Sequence, residues 1–536
     1  MTDISRRKFL YRITAAGIAV NMPWWNGKIK GENTFQDNVR RYHVSMQKEA
    51  WENNPELLGL IRDAGVTDVW MGSYLQGKWF HTPDELKVAA DYLRSEGFNS
   101  HVLTVPLGHP GNAIDPDNPS LSELKLGWKN ACTYDGKLYT GTSIHPPVTI
   151  DNVEAVKQLA AKGFDKLFLD DDFRLAQTPG QIGGCFCDDC KSDFLRKYGY
   201  NQADWDELLN AVKERNPVKV LRSWTEYNCD KEYTMYRAMQ DATPGMQIGI
   251  MVMYLGSEKA GIALDKYRDS LFRVGEEHFG DRGFGTVKGK TDELFSSLFH
   301  MRFARPELAY SESTSYPADA LSAKNMAAKL NISLISDVRN TMFMSGLPPL
   351  PSDRWSVLEP AMKKSAELHK QIAGHKPAGP FKHFYGWDSR LVGRDRPFSM
   401  FLATGIPFEV VDEITDNGWI FLSNEDAKGV AEGRVSSTAK NLIVRQGLDV
   451  EHKSFVTVDE NMEELFRIKR DVVKSLKNVP YVEGDIPVVF AWYPTVKKAL
   501  VWNVNENRQV FRIRYNNKII NSVELEGLDV ALVQIE

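Results

Sequence analysis

Two carboxylate clusters in this chain are placed where they could do chemistry. The first is Asp170-Asp171-Asp172, directly after the apolar run Leu167-Phe168-Leu169 and followed by Phe173-Arg174. Three adjacent carboxylates repel one another, so in a partly desolvated site at least one has a raised pKa. Such a carboxyl is a general acid at neutral pH. Arg174 moderates the local charge. A solvated acidic turn or a helix cap is the plain alternative, but an Asp run directly behind an apolar strand is less common than one in a loop. The second is Glu312, at the end of the run Leu308–Ser311 and followed by Ser313-Thr314-Ser315-Tyr316-Pro317. Hydroxyls around a carboxylate hold it ionised, which suits a nucleophile. Alone, Glu312 reads equally as a surface residue at a loop start. Together the two clusters form a pattern: retaining glycosidic hydrolysis needs a pair of carboxyls on opposite sides of the sugar, ~5–5.5 Å apart.

A third group is Cys185, Cys187 and Cys190, a C-x-C-x2-C spacing. Three thiolates this close make most of a zinc site. Cys132 is the candidate fourth ligand and Cys229 the remainder. Four sulfurs leave no open position, so the zinc is expected to be structural. A disulfide with a spare thiol, or a redox site, is the alternative. Five cysteines are too few, and odd, for a disulfide scaffold.

These residues need elements to aim them. Eight short strand-like runs alternate with helical patterns between about residue 40 and 346: Tyr42–Met46, Asp68–Gly72, Ser100–Val105, Lys166–Asp170, Gln247–Val252, Leu271–Gly275, Leu308–Ser311 and Asn340–Met344. The alternation predicts an α/β fold with a parallel sheet, and eight repeats over this length suit a (β/α)8 TIM barrel. A doubly wound sheet is the rival, weakened because no Gly-x-Gly-x-x-Gly follows the first strand. In such a barrel the site lies at the C-terminal strand ends. The fourth and seventh strands then carry the Asp run and Glu312 on facing sides. Other strand ends offer sugar-contacting candidates, namely Trp70, Tyr254 and His278, alongside Asp171 and Arg174, though each of the first three taken singly reads more readily as packing. Glu276 replaces Glu312 if the strand count is off by one.

After Pro348-Pro349 a smaller α/β unit is expected, with strands at Ser399–Ala403, Phe408–Val411, Trp419–Ser423 and Asn441–Gln446 and a helix at Met462–Leu476. From about Pro487 the pattern has period two, which predicts a small C-terminal antiparallel β domain. The implied division is 1–30 signal, 35–380 barrel, 381–480 α/β unit and 481–536 β domain.

The composition excludes other classes. Of 536 residues, 42% are hydrophobic and 26% charged, with a net charge of −5. That is a globular composition with no basic field for nucleic acid. No uncharged apolar run reaches the ~18 residues of a membrane span. At the start, Ser5-Arg6-Arg7-Lys8-Phe9-Leu10 precedes a short, weakly apolar stretch, the layout of a twin-arginine export signal, so a periplasmic location is expected.

The carboxylate positions and the cysteine spacing together resemble clan A retaining glycosidases, in particular the family 42 β-galactosidases. These carry a C-x-C-x2-C zinc cluster shortly after the acid/base, a smaller flavodoxin-like trimerisation domain and a C-terminal β domain. The likeness in order covers nearly the whole mature chain. The family's Asn-Glu-Phe aligns with Asp171-Asp172-Phe173, which implies Asp172 as acid/base, with Asp171 in the place of the sugar-contacting Asn. Glu312 falls at the nucleophile position. The family 164 β-mannosidases share the plan and have an Asp acid/base, so the resemblance implies a β-galactoside or a β-mannoside. It also implies a homotrimer. The expected activity is exo-acting hydrolysis of β-linked hexosides. The alternatives are a non-catalytic carbohydrate-binding barrel and a metal-dependent hydrolase using His101, His109, His145 or His278.

Overall fold

Each of the eight apolar runs forms a strand whose two faces are both covered. The structure is a computed structural model that describes residues 39–108, 124–170, 173–176, 178, 180–253, 255–275, 278–346 and 348–535. The export signal, Asp171, Asp172, Tyr254, His109 and Glu276 therefore lie outside the described residues. The strands are β1 (Arg41–Ser45), β2 (Asp68–Leu75), β3 (Asn99–Val105), β4 (Lys166–Leu169), β5 (Gln247–Val252), β6 (Leu271–Val274), β7 (Ala309–Thr314) and β8 (Asn340–Met344). All pair in parallel with their sequence neighbours, and β1 pairs with both β2 and β8, which closes a (β/α)8 barrel. Helices such as Pro83–Ser95, Val287–His300 and Ala323–Ile335 cover the outside. Pro83–Ser95 starts where the sequence signals it, with a reciprocal capping box between Thr82 and Glu85 and a proline in the first turn. The barrel interior is filled by Trp70, Leu103, Phe168, Leu271, Tyr310, Met342 and Met344.

Two insertions matter for the site. A ribbon, Asn130–Cys132 paired with Leu138–Thr142, follows β3. Helices Asp188–Tyr198 and Gln202–Glu214 follow β4 and share an apolar core around Phe186, Phe194, Trp205 and Trp224. Gly184 leads into the cysteine loop with φ +111°, and a Cβ there would stand 2.6 Å from the Trp224 ring. Only glycine fits this turn.

The next unit is a five-stranded parallel sheet: β9 (Phe381–Phe384), β10 (Phe408–Val411), β11 (Trp419–Leu422), β12 (Leu442–Arg445) and β13 (Phe455–Val458). Its order, β10-β9-β11-β12-β13, is the flavodoxin-like 2-1-3-4-5. Here the sequence expectation needs correcting. Ser399–Ala403 is not a strand; Met400–Ala403 is a single 3-10 turn in which Phe401, Leu402 and Ala403 are fully buried. A short apolar run does not distinguish strand from buried turn. The strand in its place, β9, reads Phe-Lys-His-Phe and escapes a search for apolar runs. Two three-stranded antiparallel sheets end the chain. All described residues belong to one compact unit, Asn38–Glu536, and none of their helices is long and apolar enough to cross a membrane.

Candidate active site

Side chains two apart on a strand share a face. The interior residues Phe168, Leu271 and Tyr310 therefore place Asp170, Arg273 and Glu312 on the barrel axis, one layer nearer the C-terminal strand ends. The three meet there. Arg273 on β6 is fully buried; one terminal nitrogen bonds Asp170, and its Nε lies 3.1 Å from Glu312 Oε2. The Met251 and Met342 sulfurs flank the guanidinium at 3.2 and 3.4 Å, and the Phe168 ring centre lies 5.3 Å away. A guanidinium has donors only, so Asp170 accepts from it, and Glu312 is held beside it as an ion pair. Thr314 donates its hydroxyl to Glu312 Oε1 at 2.6 Å, the local bond expected of the hydroxyl-rich run after β7. Glu312 is buried. With β7 as the seventh barrel strand, the count that selected Glu312 over Glu276 holds.

Among the other sequence candidates, Trp70 is not an open stacking face. It is fully enclosed beneath the constellation, with its ring 4.7 Å from both Phe168 and His101 and its Nε1 donating to His43 Nδ1 at 3.2 Å. An interior-facing position at mid-strand accounts for this. Arg174 is buried and its Nε turns back to the Ala176 carbonyl at 3.4 Å. His278 follows β6 and is partly buried, with its ring close against Gly283 and Gly289. Its backbone is held at both ends: its N–H donates to Glu293 at 3.0 Å and its carbonyl accepts from Lys329 at 2.9 Å. Burial pushes its pKa down.

Among the described residues, His43, His101 and His145 have their contacts elsewhere than at Asp170. His43 and His101 flank Asp68 near the N-terminal ends of the strands, with His101 Nε2 2.9 Å from Asp68 Oδ1. Burial pushes His43 down to about 4. Burial opposes the Asp68 carboxylate, but the His43 and His101 rings and the Thr67 hydroxyl outweigh it and hold Asp68 well below the usual carboxylate range.

The cysteines form a second centre. None of the five is in a disulfide. One ring nitrogen of His145, Cys187 Sγ and Cys190 Sγ all lie within 4.8 Å of one another, with His145 Nε2 3.9 Å from Cys187 Sγ. Cys190 shares a hydrogen bond with Cys185, which pushes the Cys185 thiol down. Cys132 is partly buried, and burial and the nearby Cys185 and Cys187 push its thiol up; its carbonyl accepts from Phe186 N–H at 2.8 Å. Lys231 Nζ stands 3.3 Å from Cys190. Two thiols and an imidazole at this spacing form a group that could hold a metal ion.

Sequence reasoning missed Arg273 as a site residue and His145 as a neighbour of the cysteines. The signal for Arg273 was present: an arginine at an inward-facing position in the apolar run Leu271–Val274. His145 lies about forty residues before its partners, so only the tertiary fold joins them.

No family model matches the chain, and no curated protein matches it. Solved structures do. A cold-adapted β-galactosidase from Rahnella sp. R3 superposes with a TM-score of 0.57 at 10% identity, covering 93% of this chain and 98% of that one. The β-galactosidase from the psychrophilic Marinomonas ef1 gives 0.58 at 11% identity, covering 92% and 100%. A catalytic mutant of a GH42 β-galactosidase from G. stearothermophilus gives 0.57 at 9%, covering 93% and 98%. At these identities the likeness is one of fold, and it runs through the barrel and both smaller units: this chain has the fold of the GH42 β-galactosidases.

Proposed function

We propose that the chain is an exported, retaining, exo-acting glycoside hydrolase of β-linked hexosides. Glu312 attacks the anomeric carbon while Asp172 protonates the departing glycosidic oxygen. Asp172 then takes a proton from the water that hydrolyses the glycosyl ester of Glu312. The observation that carries this reading is the Asp170–Arg273–Glu312 constellation at the catalytic end of a β-galactosidase-like barrel. Asp170 accepts a hydrogen bond from the guanidinium that also forms an ion pair with Glu312, which leaves the proton-donor role to the neighbours of Asp170. Arg273 orients Glu312 and stabilises its charge before attack. After attack Glu312 is a neutral ester, and Asp170 remains as the counter-ion of Arg273. No buried cation is stranded at the intermediate.

Asp171, Arg174, Tyr254 and His278 are assigned to the sugar, with Trp70 supporting the floor from below. The cysteine centre would hold a structural zinc through Cys185, Cys187 and Cys190, with Cys132 as the fourth ligand and His145 as its competitor. It would brace the insertion after β4 and take no part in proton or sugar transfer. The chain would act in the periplasm and assemble as a homotrimer through the flavodoxin-like unit.

A panel of aryl glycosides tests the reading, with β-galactoside and β-mannoside first. Turnover of either, lost in Glu312→Ala, supports it. Sugar binding without turnover across the panel would establish a carbohydrate-binding barrel instead.

A further inference from the structure

The loops after β4 and β5 are stitched to each other. Leu175 N–H donates to the Ala260 carbonyl and Gly183 N–H to the Lys259 carbonyl, both at 2.7 Å. Between these bonds the β5 loop buries two charged residues, Glu258 and Lys259, in the turn Ser257–Ala260. Their partners come from the segment after β9. Lys259 Nζ lies 2.5 Å from Asp395 Oδ1, and Arg390 Nε donates to Glu258 Oε2 at 3.1 Å. Asp395 also accepts from Gly256 N–H at 3.1 Å. Arg215 completes the tie: it donates to the Val392 and Gly393 carbonyls at 2.6 and 3.0 Å and, with its other terminal nitrogen, to the Gly180 carbonyl in the β4 loop. The seam has no slack. A Cβ on Gly256 would stand 2.0 Å from Lys259 Nζ and 2.4 Å from the Arg390 carbonyl.

Buried ion pairs of this kind add little net stability, but removing one partner leaves a strongly penalised charge. Their effect here is to allow one arrangement of the β4 and β5 loops against the second unit.

We propose that Gly386–Asp395 of the flavodoxin-like unit is a strut that positions the described part of the β4 loop, residues 173–176 and 180–184, and through it the proton donor. Arg390 and Asp395 are positioning residues. The unit then serves the reaction within a single chain, apart from any part in subunit assembly. The tether stands on geometry alone; its catalytic consequence rests on the glycosidase reading.

Two measurements on the full chain separate these. In Asp395→Asn, amide exchange in 173–184 and 255–261 is expected to rise about tenfold while the barrel strands stay protected. kcat/KM should fall about 100-fold for alkyl glycosides, whose leaving oxygen must be protonated, and less than about threefold for dinitrophenyl glycosides. If Asp395→Asn does not fold, Arg390→Lys keeps the charge but loses the two-pronged contact, and the same pattern is expected at smaller amplitude. Unchanged exchange in 173–184, or equal loss on both substrate classes, overturns the strut. If the wild-type protein turns over neither class, the proposed activity falls and exchange alone decides the strut.

Discussion

Arg273 Nε lies 3.1 Å from Glu312 Oε2, inside the barrel and shielded from solvent. The same guanidinium holds Asp170. A sixth-strand arginine thus joins the ends of the fourth and seventh strands, the two that carry the candidate chemistry.

Removing Glu312 is the most direct test. Glu312→Ala should lower kcat on an activated aryl glycoside by about 10^4-fold or more. Added azide should restore part of the rate and give the inverted glycosyl azide. Retention of more than a tenth of the wild-type rate would show that another residue is the nucleophile.

Arg273→Met leaves Asp170 and Glu312 without their shared cation. Stability should fall by about 3–5 kcal/mol, the usual cost of breaking a buried pair from one side. In the surviving fraction the acidic limb of the kcat/KM profile should move to higher pH, because Glu312 loses the charge that favours its ionised form. Urea titration and a pH–rate profile read the two effects.

The cysteine centre should bind about one zinc per chain by metal analysis. Cys185→Ser should lose most of it. Comparing Cys132→Ser with His145→Ala then identifies the fourth ligand: the true ligand variant loses zinc and melts earlier, while the other keeps both. Chelation should lower the melting temperature before it lowers the activity of still-folded protein.

The buried His43 predicts a pH dependence of stability. Its folded pKa is about 4, below the ordinary 6.5 of the free side chain. The unfolded chain therefore binds more protons between these values. The contribution is complete above about pH 6.5 and is lost as pH falls toward 4, by about 3 kcal/mol. Urea midpoints at pH 7, 5.5 and 4.5 should show the slope, and His43→Phe should flatten it.

Much of the frame could be read from residue order. All eight barrel strands begin within about a residue of the runs that predicted them, because a parallel strand covered on both faces is a continuous apolar run between turns. Glu312 was legible for the same reason: its strand end was visible. Arg273 was not, since the energetic case for a buried cation lies in carboxylates 103 and 39 residues away along the chain (273 − 170 and 312 − 273). Trp70 proved to be packing, the reading its sequence position favoured; strand periodicity gives the face of a residue but not its depth in the barrel. The β9 strand, with a lysine and a histidine in four residues, carried too weak an apolar signal, whereas the greasier Met400–Ala403 mimicked one.

The pairing of Lys259 with Asp395 has a consequence for how this chain can be dissected. A truncated chain ending near residue 380 would look like a complete barrel by strand count. It would nonetheless leave Lys259 and Glu258, in the loop after β5, without the Asp395 and Arg390 partners that now neutralise them. The point where the barrel ends along the sequence is therefore not a place where the protein can be cut. Modularity visible in the order of strands is absent from the electrostatics, and the barrel is expected to work only with the sheet that follows it.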